Sequence, residues 1–445
     1  MTTALTVSDR RRATLERLDR GHVSDRQTDS DRPSVRSYGR RPASTRRAAR
    51  TEARRAPEVL GAPPVTYYAI AGVVAIFVML GLVMVLSASA ITEANLGNSP
   101  YRVFGRQAVW AGLGLISLLI AARVPYSIWR KFVLPLGLLG VMAMAAPFLP
   151  GVGATVNGAR SWVRIGGLSI QPSEFLKLAV VVLAADLLAR RGPETVNRQA
   201  TVVWVGVLAA VGAGLCLAQG DLGSAVVLGA IVFSVAWIAG VPMIPLAMMS
   251  ASAASMALLF IASSPRRLNR FTAFTNVTEE KDHLAYQTYQ GFLSMANGGL
   301  SGSGIGGSKG KLGYLPYAHS DFIFAIIADE LGFIGTVAVI GGFILLVWFG
   351  IQTALAAPDR FGMLLAGGIA CWFAVQAIVN LGGVTGLLPV TGLTLPFFSA
   401  GGSSLFVSMT AAGLLLSVAR RLNTPAATAP ASRVERPPRR LRRSR

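Results

Sequence analysis

A carboxylate stands where a polar loop turns into an apolar helix. The glycine-rich run GSGIGGSKGKLGYLPYAHS, residues 302–320, ends at Asp321, and FIFAIIADELGFIG follows at once. An ionisable group beside hydrocarbon costs a few kcal/mol unless it faces a cavity or a partner, so Asp321 is the first candidate for chemistry. Lys309, Lys311 and His319 lie just upstream, a set able to hold a phosphate ester while the carboxylate takes a proton. The competing reading is a helix cap that accepts hydrogen bonds from free amides of the first turn. Gly302, Gly304 and Gly307 fit GxGxxG, but no strand precedes them and no helix follows immediately, so a nucleotide site is not expected. Amides of such a loop still suit a pyrophosphate.

Two further stretches carry candidates. In NGARSWVRIGGLSIQPSEFLKL, residues 157–178, Pro172 suits a helix start, and Glu174 and Lys177 share one helix face where they can pair within the membrane. Trp162 reads as an interfacial anchor or a substrate platform. Asp186 is expected to snorkel at the far end of that helix, and Asp329 with Glu330, two turns beyond Asp321, to form a buried hydrogen-bonded group. The segment NLGGVTGLLPVTGLTLPFFSAGGSS, residues 380–404, is irregular and rich in Gly and Pro; between membrane spans such backbone is tolerated only where protein or a wet cavity satisfies it.

The elements that must position these groups are membrane helices. Of 445 residues, 52% are hydrophobic and 14% charged, too apolar a balance for one soluble core. Ten runs of about twenty apolar residues are expected to cross the bilayer: 66–90, 106–123, 132–150, 172–190, 199–218, 222–240, 243–263, 322–354, 361–385 and 395–419. The expectation is an all-α polytopic membrane protein whose membrane domain covers 65–420, between a basic tail at 1–64 and another at 421–445. Residues 1–60 carry a net charge of +7 and residues 420–445 one of +8, out of a formal +21. Tails so polar are expected to be disordered and to set orientation or touch anionic lipid rather than bind nucleic acid. Some sixty polar residues precede the first apolar run, so no signal peptide is expected there.

With both termini cytoplasmic, Arg123, Arg130, Lys131, Arg190, Arg191, Arg198 and Arg360 all fall inside, as the positive-inside rule asks. The large loop between the seventh and eighth spans, about 264–321, then lies outside although it holds Arg266, Arg267, Arg270, Lys281, Lys309 and Lys311. Long loops escape the rule, and basic residues kept outside suit an anionic ligand. Within this loop HLAYQTYQGFLSMANGGL reads as an amphipathic interfacial helix. Cys216 and Cys371 sit in apolar runs and form no disulfide framework. His22, His283 and His319 are too few for a histidine-built metal centre.

The order Asn380, Gly386, Pro389, Gly392, Phe397, Phe398, Ser399, Gly401, Gly402, Ser403 and Ser404 resembles the signature of the SEDS family (shape, elongation, division and sporulation). YLPYAHSDFIFAIIADELG and NGARSWVRIGGLSIQPSEFLKL are similar to its other two hallmark segments. Tyr317 and Ala400 depart from the usual family residues. The AHSDFIFA and GLTLPF segments are closer to the division branch than to the elongation branch. The resemblance implies a glycosyltransferase that polymerises lipid II into peptidoglycan on the outer face of the cytoplasmic membrane, at the septum. It implies as partners a class B penicillin-binding transpeptidase and other divisome membrane proteins, with cytoplasmic division proteins as candidates for the tails. Asp321 aligns with the family's essential acid, and Trp162, Glu174 and Lys177 fall at hallmark positions and are expected to line the same substrate cavity. Arg160, Lys177, Lys309 or Lys311, with or without a divalent cation such as Mg or Mn, would then stabilise the departing pyrophosphate. A lipid II flippase and a non-catalytic division scaffold are the alternatives; inverted repeats and a midplane site, which a transporter favours, are not evident.

Overall fold

Apolar segments have no water to satisfy their peptide groups in lipid, so they close their hydrogen bonds within themselves as helices. The computed structural model follows that rule; it describes residues 63–422 apart from 157, 167, 276 and 278–284, so the expected disorder of the two tails lies outside the described residues. The main helices are α1 (Val65–Asn95), α2 (Arg102–Arg123), α3 (Val133–Ala143), α4 (Pro172–Ala189), α5 (Gln199–Ala218), α6 (Leu222–Ile238) and α7 (Met243–Ala262). After them come α8 (Pro265–Thr275), α9 (Tyr286–Gly298), α10 (Ile323–Leu355), α11 (Arg360–Val384) and α12 (Gly402–Ala419). Seven of these, α1, α2, α5, α7, α10, α11 and α12, are long and apolar enough to cross a membrane. The chain is a mostly helical, integral membrane protein. Helices also stand at the other three expected spans, but α3 and α6 are short, and α4 carries Glu174, Lys177 and Asp186. The last helix begins at Gly402, not near 395, because residues 389–401 run as an irregular strap.

The all-α expectation missed one feature. Residues 153–170 form an antiparallel three-stranded sheet, β1 (Gly153–Val156), β2 (Ala159–Ile165) and β3 (Leu168–Ile170), in the order β1-β2-β3. Gly158 and Gly166, both with positive φ, make the tight reversals between strands. Alternation along β2 puts Ser161 and Val163 inward and leaves Arg160, Trp162 and Arg164 together on the other face.

Helix α12 is buried along nearly its whole length and lies against α2, where Gly413 meets the Leu118 backbone and Gly114 meets Met409. By contrast α7 buries only Leu246. Phe77 of α1 and Phe343 of α10 clasp Phe397 and Phe398 of the strap, with ring centroids 4.7 to 6.2 Å apart, and so anchor the strap in the core.

Helix α10 is broken at Gly332, which has φ 67° and ψ −165°. The break frees peptide groups, and the glycine-rich loop takes them up. The amides of Ser303 and Gly304 donate to the carbonyls of Asp329 and Glu330 at 2.8 and 3.1 Å, while the amides of Phe333 and Ile334 donate to Gly299 and Leu300 at 2.9 and 3.2 Å. A Cβ at Gly298, Gly302 or Gly332 would collide with opposing backbone, which explains why the stretch needs glycine there. At the opposite end of the bundle Asp186 does not simply snorkel; Arg130 and Arg190 grip its two oxygens at 2.9 and 2.6 Å.

Candidate active site

Asp321 lies two residues outside α10, and its segment is held in place through three consecutive main-chain carbonyls. The Ala400 amide donates to His319 O at 2.9 Å, the Ser399 hydroxyl to Ser320 O at 2.7 Å, and Asn380 Nδ2 to Asp321 O at 3.0 Å. Ser399 Oγ also accepts from the Leu395 amide at 2.8 Å, and Gln107 Nε2 of α2 donates to Ser399 O at 3.0 Å. Asn380 of α11 and the strap residues Ser399 and Ala400 therefore form a cradle for the segment that carries the acid. Ala400, one of the two residues that depart from the family pattern, serves through its main-chain N–H, which any residue but proline supplies.

Beside this cradle a cavity of about 240 Å³ opens between α2, the sheet and the strap. Its polar lining comes from Arg106 and Gln107 of α2, Arg164 and Ser169 of the sheet, and Ser320, while the indoles of Trp110 and Trp162 supply apolar walls. Gly402 has no room for a Cβ against Trp110. Arg106 and Arg164 are exposed guanidiniums, the group best suited to bidentate contact with phosphate oxygens. Asp321 itself, half-buried, lines a second, much smaller cavity with Asn380 and Gly392.

The other expected site residues separate into two groups. Arg160 and Lys309 are exposed, Trp162 and His319 half-buried, and Trp162 lines the larger cavity. Burial pushes the His319 imidazole below its ordinary range, with Glu93 opposing and Arg106 reinforcing that shift, so the ring is neutral at pH 7. Glu174, Lys177 and Lys311 are fully buried and committed to protein partners. Lys177 donates to Glu174 at 2.8 Å and to Gln376 Oε1 at 3.0 Å; Gln376 in turn donates to Thr394 O of the strap at 3.0 Å. Lys311 binds Glu330 at 2.8 Å and Ser87 at 3.0 Å. Asp329 accepts from Asn297, Ser303 and Ser308, so this acid and Glu330 pin the glycine-rich loop to α10. The loop amides of Ser303 and Gly304 are thus spent on α10 and are not among those that could face a pyrophosphate. Among the described residues no group of three or more His, Cys, Asp or Glu converges as for a metal; a divalent cation here would take oxygens from substrate phosphates as well.

Comparison with known proteins now bears on this arrangement. The model of the FtsW, RodA and SpoVE family, described as cell cycle protein, matches residues 68–424. The chain belongs to this family. FtsW of Trichlorobacter lovleyi, a probable peptidoglycan glycosyltransferase, is 36% identical over 342 residues, 77% of this chain and 90% of that protein. Stage V sporulation protein E of Bacillus subtilis is also 36% identical, over 77% of this chain and 93% of its own. Among solved structures, a chain of a peptidoglycan synthase complex that coordinates polymerization and crosslinking superposes with a TM-score of 0.65 at 29% identity, over 80% of this chain and 98% of that one. Thermus thermophilus RodA gives 0.59 at 30% identity, over 79% and 96%.

As an FtsW/RodA/SpoVE family member the chain shows residues that sequence reasoning passed over. Arg106 stands at the edge of an expected span, where position along the chain gives it no sign of a role. Arg164 shares a strand face with Arg160 and Trp162, a relation that period-two alternation reveals only once the segment is read as a strand. Asp221, at the start of α6, accepts from Gln171 at 3.1 Å and from the Ser224 amide at 2.9 Å, joining the α5–α6 turn to the start of α4. Its signal was Asp immediately before a helix, the N-cap pattern.

Proposed function

We propose that the protein is a peptidoglycan glycosyltransferase that polymerises lipid II during septal wall synthesis. In this reading it spans the cytoplasmic membrane ten times, has both termini inside, and presents the cradle, cavity and loop 264–321 on the outer face. The observation that carries the proposal is an acid whose segment, 319–321, is held through three successive main-chain carbonyls beside a cavity with two arginines and two tryptophans at its walls.

The sugar 4-hydroxyl of an incoming lipid II attacks the anomeric carbon of the growing strand. The C1–O bond to undecaprenyl pyrophosphate breaks with inversion, its electron pair leaves with the pyrophosphate, and the hydroxyl proton passes to Asp321 as general base. Arg106 and Arg164, with Arg160 on the same strand face, stabilise the charge gathering on the departing pyrophosphate. Trp162 and Trp110 offer flat apolar walls to a sugar or the first isoprene units. Lys309 and His319 precede the acid along the chain and are assigned to substrate. Lys177 with Glu174 and Lys311 with Glu330 act from inside the protein, by holding the strap and the loop. A divalent cation, Mg or Mn, would share the pyrophosphate charge. The partners are a class B penicillin-binding transpeptidase, which would crosslink the product, and other divisome membrane proteins.

Purified full-length protein given lipid II together with its transpeptidase tests the reading. Wild type yields glycan ladders; Asp321→Asn lowers polymer yield by about 10²- to 10⁴-fold, the range for loss of a general base, while folding and membrane insertion persist. Wild-type yield from the Asn variant removes Asp321 from the mechanism, and lipid translocation in vesicles without polymer replaces the polymerase with a transporter.

A further inference from the structure

We propose that Asn380 is a positioning residue for Asp321, and that it acts through a single water molecule held between the two side chains. Asn380 lies on α11 and is 4% exposed. Both protons of its amide nitrogen are used, one on Asp321 O at 3.0 Å and one on Leu393 O at 2.7 Å. Two carbonyl acceptors dictate the amide orientation, since the flipped group would set oxygen against oxygen. Oδ1 is consequently turned the other way. It is buried and finds no protein donor among the described residues.

A buried carbonyl oxygen left without a donor is costly, and the surroundings offer a remedy. Asn380 and Asp321 line one small cavity of about 10 Å³ together with Phe322, Val379, Gly392 and Leu393, about the least space that admits a water. The Asp321 carboxylate reaches the same space: a Cβ built on Gly392 would stand 3.6 Å from Asp321 Oδ2. Gly392 has φ +74°, a conformation that keeps side chains away from this position. A water here donates one O–H to Asn380 Oδ1 and the other to the carboxylate, which satisfies the orphaned acceptor. Asn380 then holds Asp321 twice, by its backbone carbonyl directly and by its carboxylate through the water. The water thereby restricts the orientation of the carboxylate toward the substrate hydroxyl.

This inference rests on Asp321 as the base, and the test separates the two. A structure of the full-length protein at a resolution that shows ordered water should contain one peak within about 2.6–3.2 Å of both Asn380 Oδ1 and an Asp321 oxygen. An empty cavity overturns the proposal, as does a peak that gains anomalous signal on soaking with Mn2+. In the polymerisation assay Asn380→Ala should lower kcat by about 10- to 100-fold, the usual effect of a misplaced catalytic group, with KM for lipid II within about threefold of wild type. Unchanged kcat, or a change confined to KM, also overturns it. Should the Ala variant fail to fold, the density in wild type decides. A water peak together with an active Asp321→Asn enzyme would retire the base and leave the water; an absent peak with an inactive Asp321→Asn would do the reverse.

Discussion

His319, two residues before the acid, is the group whose titration the surroundings bias most clearly outside the spans. Burial lowers its pKa below the ordinary 6.5; Glu93 opposes that shift, and Arg106 adds to it by a smaller amount. The folded state therefore binds fewer protons than the unfolded chain between the two values, and stability must rise with pH across that window. The contribution is complete above pH 6.5 and is lost as pH falls through the folded pKa. Thermal unfolding followed from pH 8 to pH 5 should show a falling midpoint in wild type and a shallower fall in His319→Gln. Equal slopes would mean the imidazole is not held neutral. The same residue exposes its main-chain carbonyl to Ala400, so its side chain can be changed without cutting the cradle.

At the scale of elements, the broken helix α10 explains the glycine-rich loop better than any ligand does. Once Gly332 leaves the helical region, four peptide groups lose their partners in the helix, and the loop returns them one for one. Asp329 and Glu330 sit at the break, fully buried, and fasten the loop with hydroxyls, an amide and Lys311. Gly332→Ala sets a Cβ against Gly302 N and Leu300 O at a positive φ. The expected cost exceeds about 2 kcal/mol, because strain and collision add. Its signature is a lower unfolding midpoint and earlier proteolytic cleavage within 299–313; an unaltered midpoint would show that the break is not required.

Across the whole molecule the two ends of the bundle have different chemistry. One end gathers Arg130, Arg190, Asp186, Tyr126 and Asp359 into ion pairs and caps, with Tyr126 donating to Asp359 at 3.1 Å. The other carries the sheet, the cradle and the cavity. In the proposed topology the second end faces outward. A membrane-impermeant thiol reagent should therefore label Lys309→Cys, an exposed position, in intact cells, and Arg198→Cys only after permeabilisation. The reverse pattern would place the carboxylate where no exported precursor waits. Since Cys216 is buried and Cys371 half-buried in apolar helices, background labelling should be low.

The apolar runs were legible in the chain alone, because a bilayer demands about twenty residues per crossing and the hydropathy pattern is local. So were Asp321 at the border of loop and helix, the Glu174–Lys177 pair three residues apart, and the buried role of Asp329 and Glu330. The break at Gly332 was not, since FIFAIIADELGFIG has the composition of an unbroken helix. Nor was the sheet at 153–170, whose short strands carry a weak signal beside long apolar spans. The site itself was decided only by the tertiary structure. Asn380, Ser399 and Ala400 reach three successive carbonyls some sixty to eighty residues away, and Arg106 meets Arg164 across a cavity. Composition and period constrain what each segment does along its own axis; which segments face one another depends on packing across the bundle, and no local pattern encodes it.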